Sequence, residues 1–148
     1  AAESPAPPGD EAITMSYRFE RDRQVFVGED DGAGLIFFVN YFRYMSEALQ
    51  LIWSEFGQSL ADQIREGVGA PAVHASCDFI APVRTGDVLR QQVELELGNR
   101  ASFTTTHRFW NVNGELVASG NVTRVWADIE AMKALDIPTW LRAAINSH

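Results

Sequence analysis

The sequence predicts an α+β fold in which one long helix is covered by a curved antiparallel sheet. Three observations predict it: a helical apolar pattern in the first half, alternating apolar and polar segments in the second, and short turns between those segments. Consecutive strands joined by short turns form an antiparallel sheet, and the apolar face of a helix needs a sheet face to cover it. A chain of 148 residues fits one domain.

The long helix is predicted over residues 38–56. Apolar residues recur there at spacings of three and four, which is the pattern of one buried helical face: Tyr41, Met45, Ala48, Leu49, Ile52 and Phe56. Gly57 is the expected end of this helix. A shorter helix is predicted over 59–66, and a last one over 138–145 begins with a proline, which suits the first helical turn.

The strands are predicted from alternation and from turn residues. A first strand over 16–27 precedes the long helix, and its polar middle weakens the apolar pattern. Four more strands follow, over 71–82, 88–97, 101–112 and 115–127. Asn113-Gly114 between the last two is a strong signal of a two-residue hairpin.

Residues 1–14 are predicted to be a mobile tail, and residues 15–148 form the folded domain. The tail is rich in proline and acidic residues, and it has too few large apolar side chains to offset the entropy of ordering. The whole chain is 46% hydrophobic, which is enough for a core. No apolar run approaches the ~20 residues of a membrane-spanning helix, and residues 1–14 lack the basic start and apolar stretch of a secretory signal.

Charge and cysteine content exclude several classes of function. The net charge of −8 argues against a nucleic-acid partner, although a few arginines can hold a small phosphorylated ligand. Cys77 is the only cysteine, so an intrachain disulfide and a cysteine-based metal cluster are excluded and a reducing, cytoplasmic location is predicted. The histidines do not lie at metal-ligand spacing, and we expect no metal site.

The segment VGEDDGAGLIFFVNY, residues 27–41, carries the candidate chemistry. It places Asp31 in a glycine-bearing loop just before the long helix. A helix start presents unpaired N–H groups and a positive dipole end, which can hold a developing oxyanion. A nearby carboxylate can attack the carbonyl carbon or deprotonate a water that does. Gly32 and Gly34 would let the backbone approach a substrate. Turn formation and capping are the alternative reasons for such a pattern.

Residues 31–44, DGAGLIFFVNYFRY, resemble the signature of the 4-hydroxybenzoyl-CoA thioesterase family, whose members have the hotdog fold. Two further segments agree with that family: VHASCDFIAP at 73–82 and RASF at 100–103. Three matches in the same order are far more specific than one, and together they cover about residues 17–145. The Asp-Gly-Ala-Gly form and Val-His-Ala-Ser look closest to the 1,4-dihydroxy-2-naphthoyl-CoA thioesterases of quinone biosynthesis.

The resemblance implies an acyl-CoA thioesterase that hydrolyses an aromatic acyl-CoA to the free acid and CoA without a cofactor. Asp31 matches the catalytic carboxylate, acting as general base or nucleophile. Phe38 falls where the family uses a backbone N–H to polarise the thioester carbonyl, and Arg100 matches an arginine near the CoA phosphates. A homodimer or homotetramer is implied as well.

Further residues are singled out by their own pattern. Tyr41 belongs to the aromatic residues around the helix start that suit a flat ring, although core packing also explains aromatic residues. His74 alternates with Ser76 and Asp78 on its strand and could line a pocket, although a structural histidine is the commoner case. Glu47 on the long helix is the second candidate carboxylate, with a solvated or interface glutamate as the alternative.

An alternative function is a noncatalytic carrier of a small ligand, or a cyclase-like pocket protein on a similarly curved sheet. Such a carrier has no need of a carboxylate that faces a helix start. The position of Asp31 relative to the helix therefore discriminates between the two readings.

Overall fold

The computed structural model describes residues 16–147, in which a five-stranded antiparallel sheet covers a long helix. In chain order the elements are β1 (Ser16–Gln24), α1 (Asn40–Glu55), α2 (Leu60–Glu66), β2 (Val68–Gly69), β3 (Ala72–Phe79), β4 (Val88–Leu97), β5 (Ser102–Trp110), β6 (Leu116–Val125), β7 (Ala127–Asp128), β8 (Lys133–Ala134) and α3 (Thr139–Asn146). The predicted α+β class is confirmed, and the three helices and five long strands occur in the predicted order. The short strands β2, β7 and β8 were not predicted, and α1 begins at Asn40, two residues later than expected. The predicted tail lies outside the described residues.

The sheet has the strand order β1-β4-β5-β6-β3, so β1 and β3 form its two edges. Side chains alternate between an inner face, which packs on α1, and an outer face. The outer face is polar: one row of paired residues across the five strands is Glu20, Gln92, Arg108, Ser119 and Asp78. The core therefore lies on the other side of the sheet, against the helix.

Two apolar clusters fill the space between the sheet and α1. The tryptophan cluster consists of Tyr17, Ala48, Leu49, Ile52, Trp53, Val93, Leu95, Phe103, Trp126, Ile137, Leu141 and Ile145. The cleft cluster consists of Val25, Tyr41, Tyr44, Met45, Val83, Leu89, Phe109, Val117, Ala118 and Val122. Successive turns of α1 contribute to both, because its apolar residues recur every three or four positions.

A polar layer separates the two clusters and consists of Arg21, Glu47, Gln91, Thr105 and His107. Arg21 donates to the Gln91 Oε1 at 2.7 Å and to the Glu47 Oε1 at 3.0 Å. The amide of Gln91 donates to His107 Nδ1 at 3.0 Å, and His107 Nε2 lies 2.9 Å from the Thr105 hydroxyl. These partners satisfy polar groups that are costly to bury alone. Burial, with the charges of Arg124 and Arg21, lowers the pKa of His107 to about 3.

No helix within residues 16–147 is long and apolar enough to cross a membrane.

Candidate active site

The Asp31 loop connects β1 to α1 and is closed at its base by backbone hydrogen bonds. Asp31 donates its N–H to the Leu35 carbonyl at 2.8 Å, and Phe37 donates to the Glu29 carbonyl at 2.9 Å. Gly32 and Gly34 adopt φ values of 90° and 85°, a region that favours glycine. No atom lies within 4 Å of a Cβ built on either glycine, so their backbone conformation, and not crowding by the protein, requires them.

The Asp31 side chain is exposed and does not cap α1. Its Oδ1 accepts a hydrogen bond from the Ala33 N–H at 2.8 Å, which leaves the second carboxylate oxygen without a partner in the described chain. The turn thus uses only one of the two carboxylate oxygens of Asp31. An exposed carboxylate oxygen beside a cleft can act as a base or as a nucleophile.

The start of α1 presents backbone donors that no side chain covers. The residue before the helix, Val39, makes no side-chain capping bond. Asn40 and Tyr41 donate their N–H groups to the carbonyls of Phe37 and Phe38, but the N–H of Phe38 has no acceptor within residues 16–147. This free donor lies at the positive end of the helix dipole, where it can stabilise negative charge.

A cleft of about 300 Å³ contains Asp31 and Phe38 together. Its remaining lining comes from the loop, from α1 and from the segment after β3: Leu35, Ile36, Tyr41, Phe79, Ile80, Ala81, Pro82 and Val83. The Tyr41 ring packs between Phe79 and Phe109, with centroid distances of 5.6 Å and 5.0 Å. The structure therefore brings three of the predicted residues to one mainly apolar cleft, which is typical of small-molecule sites.

Gly34, His74 and Arg100 are not among the residues that line this cleft. Gly34 supports the loop, since its carbonyl accepts a hydrogen bond from Thr85 at 3.2 Å. His74 pairs with Thr123 on the outer face of the sheet, whereas the cleft opens on the inner side. A pocket role for His74 in the same subunit therefore has no support in its position.

Arg100 lies at the far end of the sheet from Asp31. The start of β4 pairs with Gln24, close to the Asp31 loop, and Arg100 follows its other end. Ten residues of β4 at ~3.3 Å each separate the two ends by roughly 30 Å. Arg100 instead forms an ion pair with Asp136, with 2.6 Å between Nε and Oδ1. Within one subunit Arg100 is therefore remote from Asp31, and its role at the CoA phosphates stays a prediction.

Sequence reasoning missed Glu29, whose carboxylate is buried behind the Asp31 loop and is 6% exposed. It accepts two hydrogen bonds from the Arg23 guanidinium, at 3.0 Å and 2.8 Å, and further ones from the Phe26 N–H at 2.8 Å and the Tyr44 hydroxyl at 2.9 Å. Burial alone would raise the pKa of Glu29, but these donors and the charge of Arg23 together lower it. Arg23 also donates to Glu47 at 2.9 Å and 3.1 Å. The sequence signalled this buried ion pair only through the polar residues in the middle of β1.

The surroundings of Glu47 and Cys77 argue against a catalytic role for either side chain. Hydrogen bonds from Arg23, opposed by partial burial and aided by Arg21, lower the pKa of Glu47, and this side chain does not line the cleft. Burial, with the charge of Asp78, raises the pKa of Cys77 to about 11, so its nucleophilic thiolate form is disfavoured. Among residues 16–147, no group of three His, Cys, Asp or Glu side chains is arranged to hold a metal ion.

Comparisons with known proteins identify the family of this chain. A profile of the thioesterase-like superfamily matches residues 25–145. The 1,4-dihydroxy-2-naphthoyl-CoA hydrolase of Synechococcus sp. strain CC9311 is 30% identical over 144 residues, which cover 88% of this chain and 93% of that protein.

Two solved structures are similar over most of their length. A 1,4-dihydroxy-2-naphthoyl-CoA thioesterase from Synechocystis superposes with a TM-score of 0.84 at 27% identity, covering 89% of this chain and 99% of that one. A gentisyl-coenzyme A thioesterase superposes with a TM-score of 0.73 at 31% identity, covering 86% and 98%. The chain therefore belongs to the thioesterase-like superfamily and has its hotdog fold, as the sequence predicted.

Proposed function

We propose that this protein hydrolyses an aromatic acyl-CoA thioester, with Asp31 as the catalytic carboxylate and the Phe38 N–H as the donor to the thioester carbonyl. One observation carries the proposal: Asp31, whose carboxylate is exposed, and Phe38, whose N–H has no acceptor in the described chain, line the same cleft. Hydrolysis needs both groups, since one activates the attack and the other stabilises the negative oxygen that forms.

The reaction follows from these two positions. The carbonyl oxygen of the thioester accepts a hydrogen bond from Phe38, which makes the carbonyl carbon more electrophilic. As a base, Asp31 takes a proton from water while the water oxygen bonds to that carbon. The carbon–sulfur bond then breaks, the proton passes to the CoA sulfur, and the free acid and CoA leave. As a nucleophile, Asp31 bonds to the carbon first, and the carbon–sulfur bond breaks so that CoA leaves as a thiolate and takes up a proton. Water then hydrolyses the resulting anhydride to the free acid and restores the Asp31 carboxylate.

The aromatic character of the acyl group is supported by the rings at the cleft. Phe38 and Phe79 lie at a centroid distance of 5.7 Å, and Tyr41 forms the inner wall. Aromatic pairs gain about 0.5–1.5 kcal/mol beyond the area they bury, so a flat acyl ring is favoured over a short straight chain. Both solved relatives named above act on aromatic acyl-CoA esters by their names.

We also infer that two copies pair through β3. This edge strand is exposed along most of its length, and Val73, Phe79 and Ile80 are 63%, 50% and 54% exposed. The other edge, β1, carries a run of charged residues that discourages pairing, but β3 carries almost none. An unprotected apolar edge is suited to pairing with a second copy, which makes a dimer the minimal unit. The family resemblance implies a homodimer or homotetramer, and the single cysteine favours a reducing, cytoplasmic location.

The activity is tested by measuring thiol release from a panel of CoA esters. We expect benzoyl-CoA and hydroxybenzoyl-CoA to be hydrolysed faster than acetyl- or butyryl-CoA, by about tenfold for a gain of one ring contact. Faster turnover of the short straight-chain esters would refute the aromatic preference. No thiol release from any ester would favour the noncatalytic carrier.

The dimer is tested by light scattering across a range of concentrations. Ala75→Pro, in the middle of β3, removes an N–H from the exposed edge and should shift the protein toward the monomer. A wild-type monomer at all concentrations with full activity would contradict the proposed assembly.

A further inference from the structure

Asn40 is the first residue of α1 and belongs to the sequence signature, yet the proposed reaction gives it no role. Its side-chain Nδ2 donates a hydrogen bond to the backbone carbonyl of Glu29 at 2.7 Å. The same carbonyl accepts the Phe37 N–H at 2.9 Å. The two donors come from the helix side of the Asp31 loop, and the acceptor comes from its strand side.

Glu29 is itself fixed in place by the rest of the protein. Its carboxylate is buried and bound by Arg23 of β1 and by Tyr44 of α1. Asp31 follows Glu29 by two residues, and Phe38 precedes Asn40 by two. A displacement of the Glu29 carbonyl from Asn40 would therefore change the separation between the Asp31 carboxylate and the Phe38 N–H.

We propose that Asn40, through the Glu29 carbonyl, is a positioning residue that holds the Asp31 carboxylate in register with the free N–H of Phe38. The inference rests on the proposed function, because it assigns no chemistry of its own to Asn40. A misplacement of reacting groups by about 1 Å can lower a rate by about 10²-fold, so this link matters for turnover more than for binding.

The test uses Asn40→Ala in the full chain. Alanine is a good helix former, so α1 should persist without the carboxamide. We expect kcat to fall by about 10–10²-fold while KM changes less than about twofold, because the cleft lining is retained. Asn111→Ala is the matched control. Its side chain accepts hydrogen bonds from Asn113 and Glu115 in the β5–β6 hairpin, away from the cleft lining, and its loss should leave kcat unchanged.

A double-mutant cycle separates positioning from general damage. If Asn40 acts through Asp31, then Asn40→Ala should cause no further loss of the residual kcat in an Asp31→Asn background, measured at high enzyme concentration. If Asn40 only supports the fold, the two losses should multiply. Multiplying losses, or a wild-type kcat for Asn40→Ala, would overturn the positioning role.

Asn40→Asp provides a second variant of the same size. At neutral pH the introduced side chain would be an ionised carboxylate, which cannot donate a hydrogen bond to the Glu29 carbonyl. The link would therefore be lost, and kcat should fall. Protonation restores a donor, so the ratio of its kcat to that of the wild type should rise as the pH falls below roughly 5. A ratio that stays constant with pH would contradict the proposed hydrogen bond.

The failure of this inference differs from the failure of the proposed function. If Asp31→Asn is inactive and Asn40→Ala is fully active, only the positioning role is wrong. If Asp31→Asn keeps the wild-type kcat, the proposed mechanism is wrong and the positioning role is wrong with it.

Discussion

The two apolar clusters both contain aromatic residues, but their surroundings differ. In the tryptophan cluster, Trp53 contacts Phe103, Trp126 and Trp140 at centroid distances of 5.6–6.3 Å, and residues of α3 cover it. The cleft cluster ends in exposed rings, with Phe38 52% and Phe79 50% exposed. Aromatic residues thus close one end of the core and line an opening at the other. The comparison indicates that stability depends mainly on the first end and turnover on the second.

The largest expected effect is the loss of turnover in Asp31→Asn. This change keeps the size of the side chain and removes its charge and basicity, so kcat should fall by about 10²–10⁴-fold with little change in the unfolding midpoint or KM. Steady-state kinetics and thermal unfolding measure the two quantities. Asp30→Asn removes the adjacent carboxylate, which does not line the cleft, and is the matched control. A near wild-type kcat for Asp31→Asn would show that Asp31 is not the catalytic carboxylate.

The opposite pattern is expected for Phe103→Ala in the tryptophan cluster. Phe103 is fully buried, and truncation of such a ring lowers the free energy of unfolding by about 3–5 kcal/mol. The kcat per folded molecule should remain at the wild-type value. Urea denaturation and kinetics check both. Phe79→Ala is the matched change at the cleft and should lose much less stability but raise KM for aromatic esters. Equal stability losses in the two variants would break the comparison.

The donor at the helix start is tested with Phe38→Pro against Phe38→Ala. Both variants lose the ring, but only the proline lacks the backbone N–H. Phe38 precedes α1 by two residues and its N–H has no acceptor in the described chain, so the proline removes no intrachain hydrogen bond. We expect kcat of the proline variant to be about 10²–10³-fold below that of the alanine variant. Circular dichroism checks that α1 is retained. Equal kcat values would show that another group polarises the carbonyl.

The polar layer between the clusters predicts a dependence of stability on pH. The pKa of His107 is lowered from 6.5 to about 3 in the folded protein, so the unfolded chain takes up the proton first as the pH falls. Stability is therefore fully present above pH ~6.5 and is lost progressively toward pH ~3, by roughly 3 kcal/mol at pH 4.5. In His107→Gln this part of the pH dependence should disappear. Denaturant titrations at pH 7 and pH 4.5 measure the free energy of unfolding of both proteins. An equal loss of that free energy between the two pH values in both proteins would contradict the role of His107.

The smallest expected effect is that of Arg100→Ala on substrate binding. If a partner subunit brings Arg100 to the CoA phosphates, the variant should raise KM by less than about tenfold at low salt, with kcat unchanged. The difference should shrink as the ionic strength rises, because salt screens exposed charges. Kinetics at two salt concentrations provide the measurement. An unchanged KM at low salt would show that Arg100 serves only its ion pair with Asp136.

The sequence by itself determined the secondary structure, the family and the loop that carries Asp31. The α1 helix and the five long strands follow from apolar periodicity and turn residues, which act over a few neighbouring positions. The Asp31 loop was found because its glycines, its carboxylate and the helix start are adjacent in the chain. Patterns of this range need no knowledge of the tertiary fold.

Only the tertiary structure decided which residues meet across elements. The contact of Glu29 with Arg23 and Tyr44, the link from Asn40 to the Glu29 carbonyl, and the placement of Arg100 far from Asp31 all depend on how β1, α1 and β4 pack. Charged residues in β1 gave no periodic signal, because their partners lie on other elements. Burial made those partners necessary, since a charge inside the core is stable only when it is paired and hydrogen-bonded.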